Sequence, residues 1–271
     1  MQIIEITPPL RHHYNEKLRA FEQTFQYPFG QDSFVIDHGA DYFAFFDRLG
    51  EPHVFVGLES NDVVAVAIGI LRDVDLLDTG RLEKVWYGCD LKVHPDYRGT
   101  YFAQKVMDVA LKHYASSSTK LYGISMNPVN GTNKMIAYAS HFPHLNMKLS
   151  GNLSFYLLNE QQLNKIRKLV ENTFGLCQFL SLKGQKDLVL SSIGKPLPFL
   201  HFCSSFPEIG YPEGENGQEI VGKDDRYMFC FPSDHSLNKQ FKNFHIQSIA
   251  SASIISNIEN TNWNFIRSSD I

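Results

Sequence analysis

Four cysteines in 271 residues, Cys89, Cys177, Cys203 and Cys230, form no Cys-x-x-Cys pair. Neither a zinc ribbon nor a disulfide framework is therefore legible in their spacing, and they read as small buried apolar side chains. Lys and Arg never form a run, and the formal net charge is −4, so the chain lacks the basic footprint of a nucleic-acid binder. Long hydrophobic stretches are missing too. The longest, 63–71, falls far short of the roughly 20 helical residues that span a bilayer, and Met1-Gln-Ile-Ile-Glu5 lacks the basic-then-apolar order of a secretory signal. Histidines cluster only at His12-His13 and at His141 and His144, where Pro143 interrupts helical presentation and no Glu joins at metal-ligand spacing. These absences predict a cytoplasmic protein with no membrane span, no nucleic-acid partner and no metal.

What is present is apolar patterning on a scale that can bury real cores. The hydrophobic fraction is 43%, and the length exceeds the usual single-domain size. Residues 2–6 alternate as a short strand, 11–25 carry Tyr14, Leu18, Phe21 and Phe25 at near-helical spacing, and 41–49 form an aromatic-rich second helix. Segments 54–59 and 63–71, joined through Ser60-Asn61-Asp62, read as an antiparallel hairpin. Over 82–93 the apolar residues Val85, Tyr87, Cys89, Leu91 and Val93 alternate along one strand face. A helix follows, with Phe102, Val106, Val109, Ala110 and His113 expected on its packed side. Next come a strand at 120–126, a turn at 127–131 and a helix at 132–141.

The junction after the 82–93 strand is the most informative segment. Val93-x-Pro95-x-x-Arg98-Gly99 runs through one turn into a helix with Ala103 in its first turn. Backbone N–H groups at such a turn and helix start converge on one point, where the helix dipole favours an anion. The Gly-Lys-Ser/Thr ending of a P-loop is absent, as are the closely spaced glycines of a dinucleotide fingerprint. Arg98, Gly99 and Ala103, with Tyr101 in the middle glycine position, resemble the pyrophosphate-binding turn of the GNAT superfamily of acyl-CoA N-acyltransferases. Asn130, Ile136 and Tyr138 are similar, more loosely, to that family's second motif, an Asn before a helix that carries an aromatic.

The resemblance covers residues 1–158 and implies an α/β (α+β) fold, a mixed, mostly antiparallel sheet flanked by helices. It implies acetyl-CoA as cofactor, held by Leu91, Val93, Arg98, Gly99, Thr100, Tyr101, Phe102, Ala103 and Asn130. An N–H near Val93 and His94 would polarise the thioester, and Tyr138, a phenol matched to protonating a departing thiolate, is the expected acid. Strand parity leaves the base open. Tyr87 stands where family members often carry a Glu, Glu83 lies farther along the same face, and Asp90 has the opposite parity, pointing it at the helix layer or solvent. Cys89 as an acyl-carrying nucleophile has no sequence-local His partner.

Residues 159–271 carry no recognisable motif. A helix at 160–174 is followed by strand-like runs at 177–182, 186–190, 197–202 and 226–231, with a Pro/Gly-rich loop at 206–218 between the last two, and the end, 244–271, contains the apolar stretches 248–255 and 263–266. This segment reads as a smaller α+β C-terminal domain, either a degenerate GNAT-like unit without its own turn, a cap over the acceptor side, or a homodimer contact. Two functions follow. One is an N-acyltransferase moving an acetyl group to a primary amine of a small molecule, amino acid or peptide; the alternative is a non-catalytic CoA-sensing or protein-interaction module.

Overall fold

The computed structural model describes residues 2–175, 177–197, 199–204 and 226–271; the expected 206–218 loop lies outside them. The chain order is β1 (Gln2–Glu5), α1 (Arg11–Glu22), β2 (Tyr27–Phe29), β3 (Asp32–Asp37), α2 (Ala44–Leu49), β4 (Glu51–Glu59), β5 (Asp62–Val74) and β6 (Glu83–Val93). It continues with α3 (Phe102–Tyr114), β7 (Leu121–Met126), α4 (Lys134–Ala139), β8 (Lys148–Leu158) and α5 (Glu160–Phe174). The remainder is β9 (Cys177–Ser181), β10 (Asp187–Leu190), β11 (Phe199–Ser204), β12 (Arg226–Pro232), α6 (Ser236–Asn243) and β13 (Ala250–Ser256).

Local chemistry explains several boundaries. The β4–β5 turn places Ser60 and Asn61 at φ 50° and 73°, the two left-handed positions that a tight hairpin needs and that Asn tolerates. Helix α5 starts at a capping box, in which Asn159 accepts from the Gln162 N–H and the Gln162 side chain accepts from the Asn159 N–H. Its buried stripe is Leu163, Ile166 and Val170. On α3 the buried residues are Val106, Ala110, Leu111 and Tyr114, whereas Val109 is exposed. The packed face is thus rotated from the expected one, because Trp86 stacks on Tyr114 at 4.2 Å and pulls that last turn inward.

Ten strands form one mostly antiparallel sheet in the order β1-β4-β5-β6-β7-β13-β8-β12-β11-β9. The parallel pairs are β6 with β7 and β11 with β12. The sheet runs unbroken past residue 158, and β13 sits between β7 and β8, paired antiparallel to both. A smaller sheet, β10-β3-β2, includes the β2–β3 hairpin, which the sequence reading did not anticipate; Pro28 interrupts its first strand. Helix α6 was likewise not anticipated. Helix α3 covers one face of the β4–β6 region through Phe55, Ala65, Trp86, Val106 and Ala110, while α1, α2 and the small sheet cover the other in a larger apolar cluster. Around β8, β11 and β12 a third cluster includes Leu163, Ile166, Phe202, Phe229 and Phe241. No helix among the described residues is long and apolar enough to cross a membrane.

Candidate functional site

Strand β6 organises the site by parting from β7. The two pair only at Trp86↔Leu121, Tyr87↔Tyr122 and Gly88↔Gly123, so from Cys89 onward β6 has no partner on that side. Against β5 the register shifts between Ile68 and Gly69, leaving Cys89 as an extra residue. Such a bulge reverses which face later side chains take. Val85 and Tyr87 join the large cluster under α1, whereas Leu91 and Val93 pack on the α3 side. Asp90 and Lys92 are therefore swung to the α1 side, and the parity that sent Asp90 to the helix layer or solvent is corrected: Asp90 lines the cavity described next. The backbone follows the same alternation. His94 donates its N–H to Val64 O at 2.9 Å, so the N–H groups of Leu91 and Val93 point away from β5 into the gap.

A cavity of about 310 Å³ fills the gap between β6 and β7. Met107, Tyr114, Met135 and Tyr138 form its wall on the α3 side, and Tyr27, Phe34, Asp90 and Lys186 its wall on the other. The Tyr138 hydroxyl is buried without a hydrogen-bond partner, and burial pushes this phenol up to about 12. Tyr87 also lines the cavity; its ring stacks on Tyr122 at 4.8 Å, and Tyr122 accepts from Arg72 at 2.9 Å. Glu83 is not brought to this place. It stands at the outer end of β6, ion-paired with Lys120, whose hydrogen bond holds the carboxyl below its ordinary range.

The turn before α3 presents a set of free donors. Gly99 adopts φ 77°, a left-handed conformation that favours glycine. Phe102 N–H is taken by Thr100 Oγ1 at 3.3 Å, and Thr100 donates to Tyr97 O at 2.6 Å. Among the described residues, no acceptor is recorded for the N–H groups of Gly99, Tyr101, Ala103 and Gln104. Tyr101 caps no backbone group, and its side chain is 75% exposed, so the ring stands in solvent. Four unpaired N–H groups at the start of a thirteen-residue helix fit a phosphate-bearing ligand such as CoA. Asn130 is exposed and its side chain makes no hydrogen bond among the described residues. The structural work falls to Asn133, which accepts from Met135 N–H at 3.0 Å and donates to Asn127 Oδ1 at 2.8 Å. Its place directly before Lys-Met-Ile is an N-cap signal that could have found it.

Sequence reasoning missed a set of charges on the cavity wall that carries Tyr27 and Asp90. Lys92 Nζ donates to Glu22 of α1 at 2.5 Å and to Asp90 at 2.8 Å, and Tyr27 donates to Glu22 at 2.8 Å. Burial raises the Asp90 carboxyl against the pull of Lys92. Burial also pushes the Cys89 thiol up to about 12, which keeps it protonated and a poor nucleophile. The histidine clusters apparent in the sequence stay apart from the cavity. Instead, His53 and His113 meet Glu5 on the far side of β4, with His53 Nδ1 at 2.8 Å from Glu5.

With this geometry established, comparison with known proteins is informative. Residues 14–136 match the acetyltransferase (GNAT) family. An uncharacterised protein of Acanthamoeba polyphaga mimivirus is 21% identical over 243 residues, covering 85% of this chain and 68% of the viral protein. Two solved structures share the fold over nearly the full length. A tandem GNAT protein from the clavulanic acid biosynthesis pathway aligns with TM-score 0.52 and 9% identity, covering 94% of this chain and 98% of its own. A GCN5-related glucosamine N-acetyltransferase region of a fungal multi-domain β-N-acetylglucosaminidase aligns with TM-score 0.53 and 10% identity, covering 94% of this chain and 38% of its own. The β-strand splay, the glycine turn and the match over 14–136 make this part of the chain similar to the GNAT family of acetyltransferases.

Proposed function

We propose that this protein transfers an acetyl group from acetyl-CoA to a primary amine, both substrates being bound at once. One observation carries the reading: a single cavity reaches from the Tyr138 wall to the Asp90 wall across the parted strands β6 and β7. Acetyl-CoA would supply the acyl group activated as a thioester. The N–H groups of Gly99, Tyr101, Ala103 and Gln104 would hold its pyrophosphate, and those of Leu91 and Val93 face the gap where a carbonyl needs polarising. Acyl transfer requires the amine nitrogen to lose a proton as its bond to carbon forms, and the departing sulfur to gain one as the carbon–sulfur bond breaks. Asp90, kept ionised by Lys92 yet raised by burial, is suited to take the first; Tyr138, protonated and unpartnered, is suited to give the second. Residues 159–271 would act as a second, cofactor-free unit that completes the acceptor wall. Its likeness in fold to a tandem GNAT protein supports that reading, as does the presence of Lys186 and His201 in the cavity lining. The family's chemistry and the absence of a membrane-spanning helix among the described residues support a cytoplasmic site of action.

The test measures both cofactor binding and acceptor-dependent thiol release. Acetyl-CoA should raise the melting temperature by mass action, and at least one member of a primary-amine panel should release free thiol with saturation. No thermal shift at millimolar acetyl-CoA, together with no release from any amine, would remove the proposal.

A further inference from the structure

Lys186 is a cation with no anion in contact among the described residues. It lines the cavity, its ammonium lies 4.2 Å from the centroid of the Phe45 ring, and among the described residues no carboxylate or other hydrogen-bond acceptor reaches it. The neighbouring charges cannot serve it. Glu22 and Asp90 already share Lys92 at 2.5 and 2.8 Å. The imidazoles nearby are neutral, since burial pushes His38 down to about 4 and His201 down to about 3. An ammonium facing an enclosed space without a counter-charge pays a desolvation cost that an incoming anion would offset. Burial accordingly lowers the Lys186 amine below its ordinary range. A lysine, with no arginine in the cavity lining, suits a compact anion such as a carboxylate. Asp90 stands in the same cavity, and Phe29, Phe34, Leu188 and Met228 supply apolar lining.

We infer that the acceptor is an amino-carboxylic acid with an apolar side chain, its carboxylate bound by Lys186 and its amine directed at Asp90. This rests on the acetyl-transfer reading of the same cavity. A zwitterion leaves the net charge of Lys92, Lys186, Glu22 and Asp90 at zero while giving Lys186 an anion in direct contact. Phe29, Phe34, Leu188 and Met228 then receive the side chain, while Lys186 discriminates against the same amine without its carboxylate. Discrimination of this sort is strong because binding the analogue would leave a buried charge unpaired.

The experiment is calorimetry on the full chain without cofactor. The probes are L-phenylalanine, L-leucine and L-methionine, each against its decarboxylated amine, within a panel of all twenty amino acids. At least one amino acid should bind 10-fold or more tighter than its decarboxylated partner. Lys186→Met should weaken that amino acid 10- to 100-fold and leave the amine within about threefold, while Lys186→Arg retains much of the preference; melting temperatures confirm folding. Failure of every amino acid to bind, equal binding of the amines, or a preference that survives Lys186→Met overturns the inference. Acetyl transfer to carboxylate-free amines as fast as to any amino acid, with neither changed by Lys186→Met, would sink this inference and leave the transfer reading standing. Carboxylate-dependent binding without transfer would do the reverse.

Discussion

Asp90 faces the cavity because one extra residue, Cys89, sits in β6. If its carboxylate takes the amine proton, Asp90→Asn should lower turnover at neutral pH by ~10²–10⁴-fold, the usual worth of a general base. The residual rate should climb with pH as more acceptor arrives already deprotonated, and a variant with wild-type turnover at pH 7 would exclude the role. Tyr138→Phe keeps the ring against His141 and Phe142 and removes only a hydroxyl that bonds nothing. Turnover should fall ~10²–10⁴-fold with little change in stability or in acetyl-CoA affinity. Full activity in the Phe variant would exclude Tyr138 as the acid. Tyr138 could be singled out from its helix after β7, and it lines the cavity, whereas the face expected for Leu91 and Val93, shared with Val85 and Tyr87, is overturned by the bulge. Asp90 was not, since strict alternation carries no sign of a bulge, and Glu22 and Lys186 come from α1 and from the approach to β10, far apart in the chain.

At the scale of single elements, the turn into α3 gives the sharpest test. Gly99 at φ 77° cannot be replaced by Pro, whose ring fixes φ near −65° and removes a donor. Gly99→Pro should weaken acetyl-CoA at least tenfold by calorimetry while the circular dichroism spectrum is kept; unchanged affinity would disprove the pyrophosphate assignment. Strand β5 makes a packing prediction. A Cβ at Gly69 would collide with the Tyr114 phenol, and Tyr114 is pinned by Trp86, which donates Nε1–H to Tyr114 O at 2.9 Å. Gly69→Ala should therefore cost about 1–3 kcal/mol in urea unfolding, and a neutral result would show that α3 can shift. Elements with local punctuation, such as α5 with its capping box and the β4–β5 hairpin with Asn61, were readable from sequence. The β2–β3 hairpin was not, because its three-residue first strand contains Pro28 and is held by β10 from the other half of the chain.

On the whole-molecule scale, two buried imidazoles tie distant segments together. His38 Nδ1–H donates to Gln185 O and His201 Nδ1–H to Ser268 O, both at 2.9 Å. Their folded pKa values, about 4 and about 3, lie below the unfolded value near 6.5. The unfolded chain thus binds more protons, and the stability that is fully present above pH 6.5 is lost as pH falls toward those values. Acidifying from pH 7 to 5 should cost on the order of 2 kcal/mol per histidine, read from urea midpoints; a flat profile would contradict it. Ending the chain at 158 should give aggregating protein, because β13 is removed from between β7 and β8 and both are left as bare edges; a soluble, active fragment would refute this. The strands between 177 and 231 could be read from their apolar runs, but α6 could not, and nothing local in 248–255 says that a strand there belongs between two others formed far earlier. That placement also sets a timetable. Strand β8 ends at Leu158 and β13 begins at Ala250, so at ~5–20 residues per second a ribosome leaves the gap beside β7 unfilled for roughly 5–20 s. Every nascent copy must wait out that interval with two unpaired strand edges, and such distant pairing slows folding further. Chaperone supply, rather than the final stability of the fold, would then govern how much of this protein a cell can accumulate.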